Sequence, residues 1–162
     1  MACATLAAMA DLQMSESIFI AASPEQVYAL VSDVTRTGEW SPICKACWWD
    51  EGDGPEVGAW FTGRNETPER TWETRSQVVA ATPGRSFAWQ VNGDLVYWAY
   101  TMEPRDGGTL LTESWKVLPA GIAAFRERFG EQAEAELEAR RLAAETGIPA
   151  TLAAIKAIAE AS

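Results

Sequence analysis

Between residues 71 and 117 the apolar residues recur at every second position in four successive segments. In residues 71–81, Trp72, Thr74, Ser76 and Val78 fall on one side; Glu73, Arg75 and Gln77 fall on the other. The matching side carries Phe87, Trp89 and Val91 in residues 86–91, and Trp98, Tyr100 and Met102 in residues 95–103. In residues 109–117 it carries Leu111, Glu113, Trp115 and Val117. This is the period of strands with one buried face. The joints are turn formers: Pro83-Gly84, Asn92-Gly93-Asp94 and Asp106-Gly107-Gly108. Joints this short allow only antiparallel neighbours. With two further strands at 45–50 and 58–65, the middle of the chain is predicted to be a meander with one wet face and one aromatic face.

Both flanks change character. Residues 14–21 read as a strand with Ile18 and Ile20 on one face. Ser23-Pro24 opens a short helix, with Ser as cap, Pro in the first turn, and Gln26 three residues after the cap. Val27, Leu30 and Val31 form its apolar stripe. Asp33 caps a second short helix that Gly38 ends, and Trp40-Ser41-Pro42 turns into the sheet. After Pro119-Ala120-Gly121 the period is helical: Ile122, Phe125 and Phe129, an interruption at Gly130, then an Ala-, Glu-, Leu- and Arg-rich stretch over residues 131–145. Gly147 and Pro149 are expected to kink or divide this helix, since Pro149 lacks the N–H for residue 145. The order implies an α+β chain. Residues 14–160 form one domain, behind a leader at 1–13 that is expected to be disordered. That leader has no Lys or Arg, which argues against a secretory signal despite Ala8-Met9-Ala10.

Composition excludes several chemistries. The net charge of −10 opposes binding to nucleic acid or to an anionic membrane surface. No apolar run is read as long enough to span a bilayer, so no integral membrane segment is expected. The chain has no histidine, which removes His-based nucleophile systems and His-ligated metals. Three cysteines are too few for a disulfide scaffold and suggest reduced thiols in a cytoplasmic setting. Cys44-Lys45-Ala46-Cys47 lacks further metal ligands, and an i, i+3 pair on a regular strand faces opposite ways, so no metal and no cofactor is expected. No phosphate-cradling glycine loop is present; Gly107-Gly108 is a hairpin turn. The acidic run at Glu131, Glu134, Glu136 and Glu138, with Arg140 and Arg141, reads as a solvated helix face.

In this order, Ile18 to Tyr28 resembles the opening strand and helix of the START-like superfamily. That superfamily includes polyketide cyclases/dehydrases and lipid-transfer domains. Asp33 through Trp40-Ser41-Pro42 resembles the segment that follows; Gly58 to Gly63, Val78 to Pro83 and Thr109 to Trp115 resemble its strands, and Thr151 to Lys156 its closing helix. The resemblance implies a helix-grip fold, in which a curved antiparallel sheet of about six or seven strands wraps around a long C-terminal helix. It implies a cavity between the two. It also implies a hydrophobic or aromatic, lipid-like or polyketide-like small molecule as the partner, bound by a monomer or homodimer.

The expected lining is Phe61, Trp72, Phe87, Trp89, Trp98, Tyr100, Met102 and Trp115 from the sheet, facing Phe125 and Phe129 from the helical third. Thr74 is small and polar on the same face. Asn65 falls on the Phe61 side and can bond a ligand carbonyl, although Thr67-Pro68 also marks it as a turn residue. Glu113, between Leu111 and Trp115, is a carboxyl on an apolar face, where desolvation raises its pKa and suits it to acid or base chemistry. Tyr100 needs a partner for its hydroxyl and is the second catalytic candidate, a backbone group being the expected partner. Arg64, Arg75 and Arg85 read as outward surface charge. Three functions fit: binding of a hydrophobic small molecule, a cyclase/dehydrase-type enzyme using the cavity carboxyl, or a protein-partner module with a filled core.

Overall fold

A computed structural model describes residues 12–161; of the leader expected at 1–13, residues 1–11 lie outside them, while Leu12 is buried in the core and Gln13 opens the first strand. Strand β1 (Gln13–Ile20) is followed by helix α1 (Pro24–Val31) and a 3₁₀ turn at Val34–Glu39. Six strands follow: β2 (Cys44–Trp49), β3 (Trp60–Thr67), β4 (Arg70–Thr82), β5 (Ser86–Val91), β6 (Val96–Arg105) and β7 (Gly108–Val117). Helix α2 (Pro119–Phe129), a 3₁₀ turn at Gly130–Gln132 and helix α3 (Ala133–Glu160) close the chain. All neighbours in the seven-stranded sheet are antiparallel, in the order β1-β7-β6-β5-β4-β3-β2. The first strand therefore completes the meander by pairing with the last. This is the helix-grip arrangement.

Local chemistry fixes the joints as expected. The Gln26 N–H donates to Ser23 Oγ at 3.2 Å, and the Ser23 N–H donates to Gln26 Oε1 at 3.0 Å, a reciprocal capping box. Asp33 accepts from the Thr35 N–H at 3.1 Å. Between β5 and β6, Asn92 (φ 51°) and Gly93 (φ 91°) both take the left-handed conformation that a tight hairpin requires.

Two expectations about the helical third need correction. The break at Gly130 (φ 55°) does fall between α2 and α3, as read from the sequence, but no division follows at Gly147 and Pro149. Past Gly130, α3 runs for 28 residues with Pro149 inside it and undivided. Pro149 is exposed, so the carbonyl it leaves unbonded faces water and not the core. The stretch from Pro119 to Glu160 is also long and apolar enough, by composition, to cross a bilayer, contrary to the reading of the sequence. Its alanines account for this. A core helix of a soluble protein passes the same test, and here Leu137, Ala144, Ile148, Leu152 and Ile155 turn into the fold.

The core lies at one end of the concave face. Ile20, Val27, Leu111, Ile148, Leu152 and Ile155 are each under 2% exposed. Polar contacts clamp the C-terminal half of α3 to the same end. Lys156 Nζ donates to the Phe19 carbonyl at 2.7 Å, and the Ala21 N–H donates to Glu160 Oε2 at 3.1 Å. At the start of α2, Gly121 touches the loop before β6: a Cβ there would collide with the Leu95 carbonyl oxygen and press on Val117. Overpacking of this kind costs about 1–3 kcal/mol. Gly121→Ala is therefore expected to lower the melting temperature by roughly 3–10 °C. Gly54→Ala, where no atom lies within 4 Å of the new methyl, should leave it unchanged. Thermal unfolding of the two variants checks this, and an unaltered Gly121→Ala would refute the close approach.

Candidate functional site

The other end of the concave face is not filled. A cavity of about 310 Å³ lies between the sheet, the segment from Val31 to Cys47, Phe125 of α2 and the first half of α3. Pro42 and Ala143 are exposed and belong to its wall, so it reaches the surface between the turn before β2 and α3. Its floor is a connected set of rings. Trp89 stacks on its cross-strand partner Trp98 at 6.3 Å between centroids with 10° between planes. It also meets Phe87 at 5.6 Å, Tyr100 at 5.7 Å and Phe61 at 6.0 Å. Trp49 extends the cluster edge-on to Phe61 at 5.6 Å. Such edge and offset contacts hold rings in fixed orientations.

Most of the residues expected to line a cavity do so: Phe61, Asn65, Trp72, Thr74, Phe87, Trp89, Trp98, Tyr100, Glu113, Trp115 and Phe125. Two do not. Met102 shares the face of Tyr100 but lies one step further along β6, opposite Leu111, where the core is packed. Phe129 ends α2, rests on Phe125 at 5.4 Å, and lies outside the wall. Asn65 is not a turn residue. Strand β3 continues to Thr67, and the Asn65 amide nitrogen donates to Thr74 Oγ1 at 3.2 Å across the strands.

Glu113 is the polar centre of the site. Strand β7 places it directly opposite Tyr100. It is 4% exposed, and its Oε2 is buried with no hydrogen-bond partner among the described residues. Burial pushes its carboxyl up to about 8, because a carboxylate without compensating donors loses its hydration. Tyr100 is fully enclosed. Its hydroxyl is held well above the usual phenol range, first by burial and then by the neighbouring Glu113. The Trp40 side chain, whose indole nitrogen can only donate, offsets part of this rise.

Other wall residues escaped the sequence reading. Trp40 comes from the turn after the 3₁₀ segment, which has no period to reveal its direction. Arg140 looked like part of the solvated acidic helix face. It pairs with Glu136 at 3.3 Å, yet it also lines the cavity and lies 5.5 Å from the Phe125 ring centre. Arg64, Arg75 and Arg85 do face outward: Arg64 pairs with Glu73 over Trp48, and Arg75 with Asp50 over Trp60. Cys44 and Cys47 both line the cavity, against the expectation that they face opposite ways. A bulge between Cys44 and Ala46 shifts the register by one residue. Among the described residues, no group of three or more Cys, Asp or Glu is arranged to hold a metal ion.

Comparison with known proteins agrees with this architecture. The chain matches the family model described as polyketide cyclase / dehydrase and lipid transport over residues 11–159. It is 60% identical to a polyketide-cyclase-like protein of Corynebacterium glutamicum, covering 92% of this chain and 91% of that one, with a TM-score of 0.69. The di-domain ARO/CYC StfQ of the steffimycin biosynthetic pathway has the same fold at 17% identity and a TM-score of 0.69, over 94% of this chain and 52% of StfQ. A protein of Rhodobacter sphaeroides is 18% identical over 93% of both chains, with a TM-score of 0.66. No curated protein matches the chain. A seven-stranded sheet gripping one long helix, matched by the family model along nearly its whole length, makes this chain a member of the polyketide cyclase/dehydrase and lipid-transport family.

Proposed function

We propose that the protein binds an apolar, ring-containing small molecule bearing a carbonyl or similar hydrogen-bond-accepting oxygen. The rings would lie against Trp89, Trp98 and Trp115, and the oxygen would meet Glu113. One observation carries this reading: a buried, unpartnered carboxyl oxygen in the wall of a mostly aromatic cavity. Buried polar atoms are almost always bonded, and an exception calls for a missing partner. With its value near 8, Glu113 is protonated at neutral pH. It is then a donor, and the group that completes it is an acceptor. The volume of about 310 Å³ lies at the small end of ligand sites.

A second reading is favoured by the same acid. A protonated carboxyl beside a carbonyl oxygen polarises it and can transfer a proton, which is what an acid-assisted cyclisation or dehydration needs. Positioning in a shaped cavity supplies the remaining assistance. In that case Glu113 is the acid, and Tyr100, beside Trp40, fixes the adjoining wall. Glu113→Gln would abolish turnover but keep binding. A partner module with a filled core has less support. The exposed large apolar residues Phe19, Val57, Val79 and Leu142 come from β1, a loop, β4 and α3.

Tryptophan fluorescence reads binding directly, since five of the eight tryptophans, Trp40, Trp72, Trp89, Trp98 and Trp115, line the cavity. Titration with flavonoids, polycyclic aromatic ketones, sterols and fatty acids is expected to give saturable quenching by the aromatic ketones. Glu113→Leu should weaken those ligands about tenfold or more, the worth of a lost buried hydrogen bond. Parent hydrocarbons should bind the variant as well as the wild type. A flat response to the whole panel would end the proposal.

The acid also makes stability depend on pH. In the unfolded chain Glu113 titrates near 4.5, and in the folded protein near 8. Below pH 4.5 both states are protonated and burial costs nothing in ionisation. As pH rises from 4.5 towards 8 the unfolded state alone loses its proton, and the folded state loses stability. Above 8 the full penalty is in place, on the order of 4 kcal/mol. Glu113→Gln carries no ionisable proton. The melting temperature of the variant minus that of the wild type should therefore grow by roughly 10 °C between pH 5 and pH 9. A difference independent of pH would mean an ordinarily ionised carboxylate.

A further inference from the structure

Two groups in the cavity wall take no part in ligand binding as proposed: the thiols of Cys44 and Cys47. Both are free. On a regular strand their spacing would point them to opposite faces, but the bulge removes one step of the alternation. Cys44 lies opposite Asn65 and Cys47 opposite Gly63, two residues apart on β3. Both thiols therefore share the inner face with Phe61, Gly63 and Asn65. Two steps of a strand span about 6.6 Å, inside the roughly 4.4–6.8 Å between Cα atoms that a disulfide bridges. The opposing residue leaves the room: a Cβ at Gly63 would stand 3.2 Å from Cys44 Sγ, tighter than a relaxed contact. The Cys44 thiol donates to the Ala46 carbonyl at 3.3 Å, and Cys47 acts on it from the same stretch of wall.

We propose that Cys44 and Cys47 are a redox-active dithiol in the cavity wall, which an organic hydroperoxide admitted to the cavity converts to an intramolecular disulfide. The two cysteines have different roles. The neighbouring Cys47 side chain holds the Cys44 thiol below its ordinary value in spite of burial. Its interaction with Cys44, and its own burial, keep Cys47 protonated. Cys44 is thus the attacking sulfur. Its thiolate attacks the outer oxygen of the hydroperoxide; an S–O bond forms and the O–O bond breaks. The alkoxide leaves as an alcohol, taking up the proton that Cys44 gave. Sulfur is oxidised and the peroxide reduced by two electrons, leaving a sulfenic acid. The Cys47 sulfur then attacks Cys44; the S–S bond forms and the S–O bond breaks. The oxygen departs as water, carrying the sulfenic hydrogen and the Cys47 proton. The second step follows readily, because the negative charge on Cys44 that kept Cys47 protonated has gone. The apolar lining selects a hydroperoxide with an apolar body.

The test uses the full-length protein and cumene hydroperoxide, followed by alkylation and a non-reducing tryptic map. Trypsin cuts after Lys45, between the two cysteines, so the disulfide appears as two linked peptides that dithiothreitol separates. Oxidation by cumene hydroperoxide is expected to be roughly tenfold faster than by hydrogen peroxide, through apolar contacts in the cavity. In Cys47→Ser, oxidation should stop at a Cys44 sulfenic acid that dimedone traps. In Cys44→Ser, Cys47 should remain alkylatable. Retention of both thiols in the wild type, linkage to Cys3 or to a second chain, or equally fast oxidation of Cys47 in Cys44→Ser would each overturn the proposal. Equal rates with the two peroxides would overturn its cavity route.

Discussion

One helix cannot cover a sheet this wide. Seven strands about 4.8 Å apart span roughly 29 Å, whereas an α-helix with its side chains is about 10–12 Å across. The twist of the sheet brings its edges round the helix, but the concave face still offers more area than one helix can fill. The protein resolves this mismatch differently along α3. From Ile148 to Ile155 the helix lies on β1, α1 and the Leu111 end of the sheet, where Ile148, Leu152 and Ile155 pack into the core and Thr151 turns to the edge of the cavity. From Arg140 to Gly147 it stands off, and the space is edged by rings and left open. The polar clamps of Lys156 and Glu160 onto β1 belong to the closed end, so the helix is anchored where it packs and spans where it does not.

Large rings suit the open end for a mechanical reason. An aliphatic side chain beside a void has rotamers into which it can collapse, whereas an indole held on several sides cannot. Trp89 touches four rings and is stacked on Trp98 across the strand pair. The wall therefore keeps its shape without a ligand. Within this wall Glu113 Oε2 has no hydrogen-bond partner among the described residues. Its carboxyl costs stability where it stands, and strongly perturbed titratable groups are enriched at functional sites.

The strands, their turns, the capping box and the inward face were legible in the sequence because each rests on a local rule. Alternation named Trp89, Trp98 and Glu113, and the hairpin residues fixed the register that sets Tyr100 opposite Glu113. Three things were not legible, each for a physical reason. Alternation says which face a residue takes but not how far along the sheet the helix packs, so Met102 was placed in the wall although it lies in the core. A bulge breaks the parity on which facing depends, so Cys44 and Cys47 were assigned to opposite sides. Residues outside periodic elements have no face to read, which hid the approach of Trp40 to Tyr100. Pro149 failed in a different way: the rule that proline interrupts a helix concerns a lost hydrogen bond and a crowded carbonyl, and on the exposed side of a well-anchored helix water can make good the lost bond.

The absence of histidine sharpens the meaning of the buried acid. At neutral pH an ordinary carboxylate only accepts hydrogen bonds, and it repels the partial negative charge of a carbonyl oxygen. An ordinary imidazole would be the usual group able to donate or accept there, and this chain has none. Moving a glutamate into an apolar wall reproduces that capacity by desolvation alone, with a value near 8 in place of about 4.5. The choice also filters ligands. A protonated Glu113 bonds neutral acceptors, while an anionic ligand placed against it would raise the cost of any ionisation further. Arg140 is the cation in the wall, and Glu136 already engages it. For the function proposed above, these electrostatics are a reason to expect a neutral, oxygen-bearing aromatic over a fatty acid whose carboxylate would have to be buried.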